Sequence, residues 1–216
     1  SVDYVLSDEQ IMWFQKFKNY SARDVVTKKF IENNEHQEVT VVLDPTFLWE
    51  FNEITCKTKL GEKSIVLYSF DSIADYADEI IDYANKHEYE IVSLAREYRW
   101  ANINLPAATE QEWITCFRNC EVVITDSYHG LVFALKNKKK VVLISREDKL
   151  NKNNGLLEFL GIQMSYYKKG SIDRYLHTET LDYSIINENI KKRKIESEKY
   201  LSAVSYTHLT LPTIRL

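Results

Sequence analysis

The amino-acid sequence predicts an α/β fold, a Rossmann-like doubly wound parallel sheet of five or six strands. Three observations lead there. Short apolar runs rich in β-branched residues alternate regularly with segments whose apolar residues recur at helical spacing. The 216 residues, 44% apolar and 28% charged with five glycines and three prolines, suit one ordinary domain with a small appendage. Lastly, the run Glu121-Val122-Val123-Ile124-Thr125 passes through a compact polar turn, Asp126-Ser127-Tyr128-His129-Gly130, into the helix-compatible run Leu131-Val132-Phe133-Ala134-Leu135. In a parallel α/β sheet such a turn is where ligands bind, because backbone N–H groups and the helix dipole favour an anion there.

Taken in order, Ser7-Asp8-Glu9-Gln10 is a helix-start signal in which Ser7 caps and Gln10 reciprocates. Ile11, Phe14 and Phe17 then make a one-sided apolar helix. Residues 19–22 read as a short strand ending at Arg23-Asp24, and a second helix spans about Asp24 to Glu32. The strand Glu38 to Leu43 stops at Asp44-Pro45, since proline restricts its predecessor and has no N–H for a ladder. Thr46 to Thr58 is a short helix or loop.

Lys63 to Tyr68 is the next strand, and Ile73, Tyr76, Ala77, Ile80, Ile81 and Ala84 give a helix over Ile73 to His87. Glu90 to Leu94 is a strand, and Ala95 to Ala108 a longer connection. Thr109-Glu110-Gln111-Glu112 is a full capping box for a helix running to Arg118. After the opening motif, whose helix ends near Lys136, comes a strand from Lys140 to Ile144 that leads into Ser145-Arg146-Glu147. Asn153-Asn154-Gly155 precedes a helix from Leu156 to Leu160 closed by Gly161, and Ile185 to Ala203 is a last, charged helix.

A net charge of −4 gives no basic excess to hold nucleic acid. No run of about 18 apolar residues could cross a membrane. Cys56, Cys116 and Cys120 form no CxxC; buried free thiols in a reducing, cytoplasmic setting are expected, with no structural metal. The sequence opens without Met, as a piece of a longer chain would. Its tail, residues 204–216, resembles the translated adaptor read-through that ends many metagenomic gene calls, and is set apart from the fold. The expected organisation is therefore a linking helix at 1–19, one Rossmann-like domain at 20–203, and the tail.

Four stretches carry a resemblance to the polysaccharide pyruvyl transferase family, from about Phe17 to Leu160. They are Tyr20-Ser21-Ala22-Arg23-Asp24, Leu43-Asp44-Pro45-Thr46-Phe47-Leu48, Glu112-Trp113, and Val123-Ile124-Thr125-Asp126-Ser127-Tyr128-His129-Gly130. The resemblance implies the carboxyl-terminal half of a glycosyltransferase-B-like fold, with its active site between halves. It also implies transfer of a pyruvyl unit from phosphoenolpyruvate to two hydroxyls of a cell-surface sugar, with phosphate released. The partners would be that donor and a glycan acceptor. A lipid-linked acceptor would bring the enzyme to a membrane surface. Phosphoenolpyruvate is a substrate here, and no cofactor is implied. Two other readings stay open: an enzyme of the same architecture using a nucleotide-sugar donor, and an inert half-enzyme.

His129 is the candidate phosphate ligand or acid/base, and Arg23 the candidate donor-binding guanidinium, as the resemblance suggests. Ser127, Asp126, Gly130 and Arg146 complete the expected donor site. Ser127 stands where some members carry arginine, and Arg146 is the nearest substitute by topology. The loop at Lys152-Asn153-Asn154-Gly155 falls where members often carry a polar, arginine-bearing loop, and here the arginine is absent. More ordinary readings compete: a salt bridge from Arg23 to Asp24, helix capping by Asp126, a core position for Trp113, and a solvated turn for Lys136 to Lys140.

Overall fold

The computed structural model describes residues 7–35, 38–54, 63–70, 72–146 and 150–209. Five parallel strands form the main sheet: β3 (Ser64–Tyr68), β4 (Glu90–Leu94), β5 (Ile103–Leu105), β6 (Val122–Thr125) and β7 (Lys140–Leu143). Their order is β5-β4-β3-β6-β7, so the chain winds outward one way from β3 and the other way from β6. The carboxyl ends of β3 and β6 therefore flank the crevice where a doubly wound sheet takes its ligand.

Side-chain alternation explains why both faces are covered. Val66, Val92, Val123 and Val141 face a core shared with α5 (Glu110–Asn119), α6 (Tyr128–Lys136) and α7 (Leu150–Phe159). Ile65, Ile91, Ile124 and Val142 face the opposite core, with Ile80 and Tyr83 of α4 (Ala77–His87) and Ile172 of α8 (Ile172–Thr178). A strand apolar at every position must be covered twice, and here it is.

The expectation of one sheet is corrected at the amino-terminal side. Residues Ser21–Ala22 (β1) and Thr40–Val41 (β2) pair with each other in parallel, apart from the main sheet. They share a small core of Tyr20, Ala22, Ile31 and Val39, covered by α2 (Val25–Glu35). The strand expected from Glu38 to Leu43 is thus only two residues long. In its place, Asp44 and Pro45 open α3 (Pro45–Leu48), with proline at the first turn where its missing N–H is harmless.

The long helix α9 (Tyr183–Leu209) ties this unit to the sheet. Ser197 Oγ accepts from Leu43 N at 2.9 Å, and Tyr200 donates to the Tyr20 carbonyl at 2.8 Å. It also continues past Ala203, through residues expected to stand apart from the fold.

Both capping boxes are formed, at Ser7 for α1 (Asp8–Phe14) and at Thr109 for α5. Three smaller corrections follow the same physics. The connection from Ala95 to Ala108 holds the edge strand β5, which is short and half-buried and so shows no apolar run. Gly155 lies inside α7, which starts earlier than the asparagines suggested. The helix expected from Ile73 begins as a 3₁₀ turn before α4. Helix α8 had no counterpart in the sequence reading. Gly161 does adopt the left-handed conformation, with φ of 66°, that closes the helix before it. Residues Thr55 to Thr58, Cys56 and Glu147 fall outside the described residues.

Candidate functional site

The site is assembled from three carboxyl-terminal strand ends and one helix start. Residue Arg23 follows β1, Asp44 follows β2, and His129 lies in the first turn of α6 after β6. Asp44 is where they meet. Its Oδ2 accepts from Arg23 Nη1 at 3.0 Å and lies 3.8 Å from His129 Nε2. The first contact is a hydrogen-bonded ion pair, and the second is close but beyond hydrogen-bond range.

The other oxygen, Oδ1, accepts from Thr46 N at 3.1 Å and from Thr46 Oγ1 at 2.7 Å, which caps α3. Asp44 is only 4% exposed. Burial pushes its carboxyl upward, but His129, Thr46 and Arg23 together outweigh that and hold it well below the usual carboxylate range. It is therefore an anion fixed behind two exposed donors: the Arg23 side chain is 36% exposed and that of His129 47%.

Tyr128 lies against both donors. Its ring lies under the guanidinium, 4.7 Å from Arg23 Cζ to the centroid, and meets the His129 ring edge-on at 5.4 Å. Only 5% of the residue is exposed, and its hydroxyl has no hydrogen-bond partner among the described residues. Burial pushes that hydroxyl upward, so it stays neutral.

A second arginine–aspartate pair stands at the α6 start. Arg146, just past β7, places Nη1 3.8 Å from Oδ2 of the fully buried Asp126. Asn153 of α7 braces this turn by donating to the Asp126 carbonyl at 3.4 Å. Ser127 is the N-cap, with its side chain making no cap bond, and its backbone N–H donates to Thr125 Oγ1 at 3.0 Å. Gly130 packs directly on Thr125, where a Cβ would lie 2.1 Å from Oγ1. Among the described residues, no group of His, Cys, Asp and Glu is placed to hold a metal.

A family model, that of polysaccharide pyruvyl transferase, matches residues 7–148 of the 216, a span that holds every residue of this site except Asn153. The chain belongs to that family. Among solved structures, the wall teichoic acid polymerase TagF aligns with 95% of this chain at 11% identity and a TM-score of 0.45. The chain spans 64% of that protein's chain. No curated protein matches it in sequence.

Most of the residues singled out in this family member converge, and several do so with unexpected partners. The salt bridge of Arg23 is to Asp44, not Asp24, which instead caps α2 by accepting from Thr27 N at 2.7 Å. Asp126 lies 3.8 Å from Arg146, and Ser127 occupies the N-cap position of α6.

In the sequence Asp44 presents only as a strand stop. A buried carboxylate before proline gives a capping signal, but its ion pair crosses between strands and cannot be read locally. Tyr128 went unsingled because an aromatic at a helix start reads as core. Trp113 is half-buried at the edge of the core, where it packs against Phe117 and Phe133. Lys136 is not part of a solvated turn: its ammonium donates to the carbonyls of Thr46 and Trp49, holding α6 to α3.

Proposed function

We propose that the protein transfers the pyruvyl group of phosphoenolpyruvate to two hydroxyls of a cell-surface polysaccharide or its precursor, forming a cyclic ketal and releasing phosphate. The observation that carries this reading is the meeting of Arg23, Asp44 and His129, drawn from three separate family-matched segments, at the start of α6.

The chemistry fits what these groups can do. The donor is a dense anion carrying phosphate and carboxylate. Arg23 stands over Tyr128 in the first turn of α6, Arg146 reaches Asp126 just before that helix, and the first-turn N–H groups add further donors. Arg146 would supply the charge that Ser127 lacks, with the Ser127 hydroxyl available to a phosphate oxygen. Gly130 lets α6 begin close against β6, so its amides sit at the crevice floor.

His129 holds or moves the proton. Its Nε2 lies 3.8 Å from Asp44 Oδ2, and its side chain is 47% exposed to an incoming donor. In the reaction, a proton is added to the methylene carbon of the enol. The double-bond electrons form the new C–H bond, and positive charge develops at the central carbon. One sugar hydroxyl adds there and loses its proton. The C–O bond to phosphate then breaks with its electrons leaving on oxygen, and the second hydroxyl adds and loses its proton. The two hydroxyl protons account for the new methyl hydrogen and the proton on phosphate, so no oxidant or reductant enters. Arg23 and Arg146 stabilise the charge that gathers on the leaving phosphate.

The test is to supply phosphoenolpyruvate labelled in its carbon chain with a glycan acceptor. The expected result is label in the glycan as a ketal, with one phosphate released per ketal. Phosphate release with no label in the glycan, or label transfer from a nucleotide sugar instead, contradicts the reading.

A further inference from the structure

We propose that Tyr128 is a positioning residue for the donor: its ring is the platform that sets the plane of the Arg23 guanidinium. The inference rests on the pyruvyl-transfer reading for the identity of the anion, but its geometry stands apart from it. Arg23 is held from two directions. Asp44 takes Nη1 at 3.0 Å, and Cζ stands over the face of the Tyr128 ring, 4.7 Å from its centroid.

An edge contact alone leaves a guanidinium free to rotate about the bond to its partner. A face contact alone leaves it free to turn in plane. Together they restrict it, and the half-exposed side chain keeps its remaining N–H groups for an anion. A planar fork so held suits bidentate binding of a carboxylate or of two phosphate oxygens.

The ring has its own reasons to be immobile. It is 5% exposed, belongs to the main core with Leu131 and Val132, and meets His129 edge-on at 5.4 Å. The hydroxyl contributes nothing to this role. It is buried with no partner among the described residues, so the ring face is what the fold uses. A leucine at 128 would fill much of the same volume and offer no π face. A phenylalanine would keep the face and remove the orphan hydroxyl.

The experiment compares Tyr128→Phe and Tyr128→Leu in the full chain, with phosphoenolpyruvate titrated calorimetrically and in the phosphate-release assay. Tyr128→Phe should leave donor affinity within about twofold of wild type. Tyr128→Leu should weaken it by about three- to thirtyfold, with kcat changed far less than KM. The Arg23 Nε–H resonance, followed by NMR without donor, should report an ordered side chain in wild type and Tyr128→Phe, and a mobile one in Tyr128→Leu.

A Tyr128→Phe variant as weak as Tyr128→Leu overturns the proposal, because the hydroxyl would then be the working group. An Arg23 equally ordered in all three proteins overturns it as well. Should wild type fail to bind phosphoenolpyruvate while Arg23 shows the expected NMR pattern, the pyruvyl-transfer reading falls and the platform stands.

Discussion

Replacing Gly130 by alanine is the sharpest structural test of the turn between β6 and α6. An added Cβ would sit 2.1 Å from Thr125 Oγ1, 2.9 Å from its Cβ and 3.1 Å from its Cγ2. Thr125 is fully buried and cannot swing into solvent. Its hydroxyl donates to the Tyr68 carbonyl at 2.6 Å and accepts from Ser127 N at 3.0 Å, joining the ends of β3 and β6 to the start of α6.

Relief therefore means moving a helix or breaking both bonds. Overpacking of this kind costs about 1–3 kcal/mol, and each bond about 0.5–1.5 kcal/mol. The combined loss of about 2–6 kcal/mol is a large part of the ~5–15 kcal/mol that holds an ordinary domain together. For a chain of this size it corresponds to a Tm lower by roughly 5–20 °C.

Urea denaturation followed by circular dichroism measures it. Thr125→Ala should cost its two hydrogen bonds, and adding it to Gly130→Ala should recover part of the loss, since it removes the Oγ1 and Cγ2 contacts and leaves that to Cβ at 2.9 Å. A double-mutant coupling of about 1 kcal/mol or more is expected. A Gly130→Ala protein within about 0.5 kcal/mol of wild type would refute the packing argument.

The same reasoning gives three further outcomes. Asp44 has a carboxyl held below its ordinary value, so its stabilisation is present above the unfolded value of about 4 and lost as pH falls toward the folded one. Asp44→Asn should therefore cost on the order of 1.5–3 kcal/mol at pH 7 and converge with wild type in acid, as read from denaturation curves at a series of pH values. Burial pushes the Cys120 thiol up to about 12 and leaves Cys116 enclosed, so neither should react with a thiol reagent at pH 8 until urea is added; mass mapping of labelled peptides decides it. Lys136→Met removes the ammonium from the carbonyls of Thr46 and Trp49, and should lower stability by about 1–3 kcal/mol while leaving the KM for phosphoenolpyruvate unchanged.

How much of this was legible in the sequence depended on how local the cause was. The capping boxes at Ser7 and Thr109, the buried strands β3, β4, β6 and β7, and the polar turn before α6 each follow from neighbouring residues, and each is present. The edge strand β5 and helix α8 were missed because neither shows a long apolar run. The short pair β1 and β2 was read as part of the main sheet because strand pattern says nothing about which sheet a strand joins.

At the site, His129 and Arg23 carried their own signals, a titratable group at a helix start and a guanidinium past a strand. Asp44 and Tyr128 did not. Asp44 matters through Arg23 and His129, and Tyr128 through the guanidinium above it, and those contacts exist only once β1, β2 and β6 end together. The pairing of Arg146 with Asp126 was half legible, since topology put Arg146 at the correct sheet edge without naming its partner.

His129→Ala tests most directly the proposal that the Arg23–Asp44–His129 cluster performs pyruvyl transfer. The measurement is acceptor-dependent phosphate release from phosphoenolpyruvate by wild type and variant at matched concentration, with folding of both verified by circular dichroism. A proton-transfer role for His129 predicts a loss of about 10²–10⁴-fold in kcat. Equal turnover by a folded His129→Ala protein would contradict it.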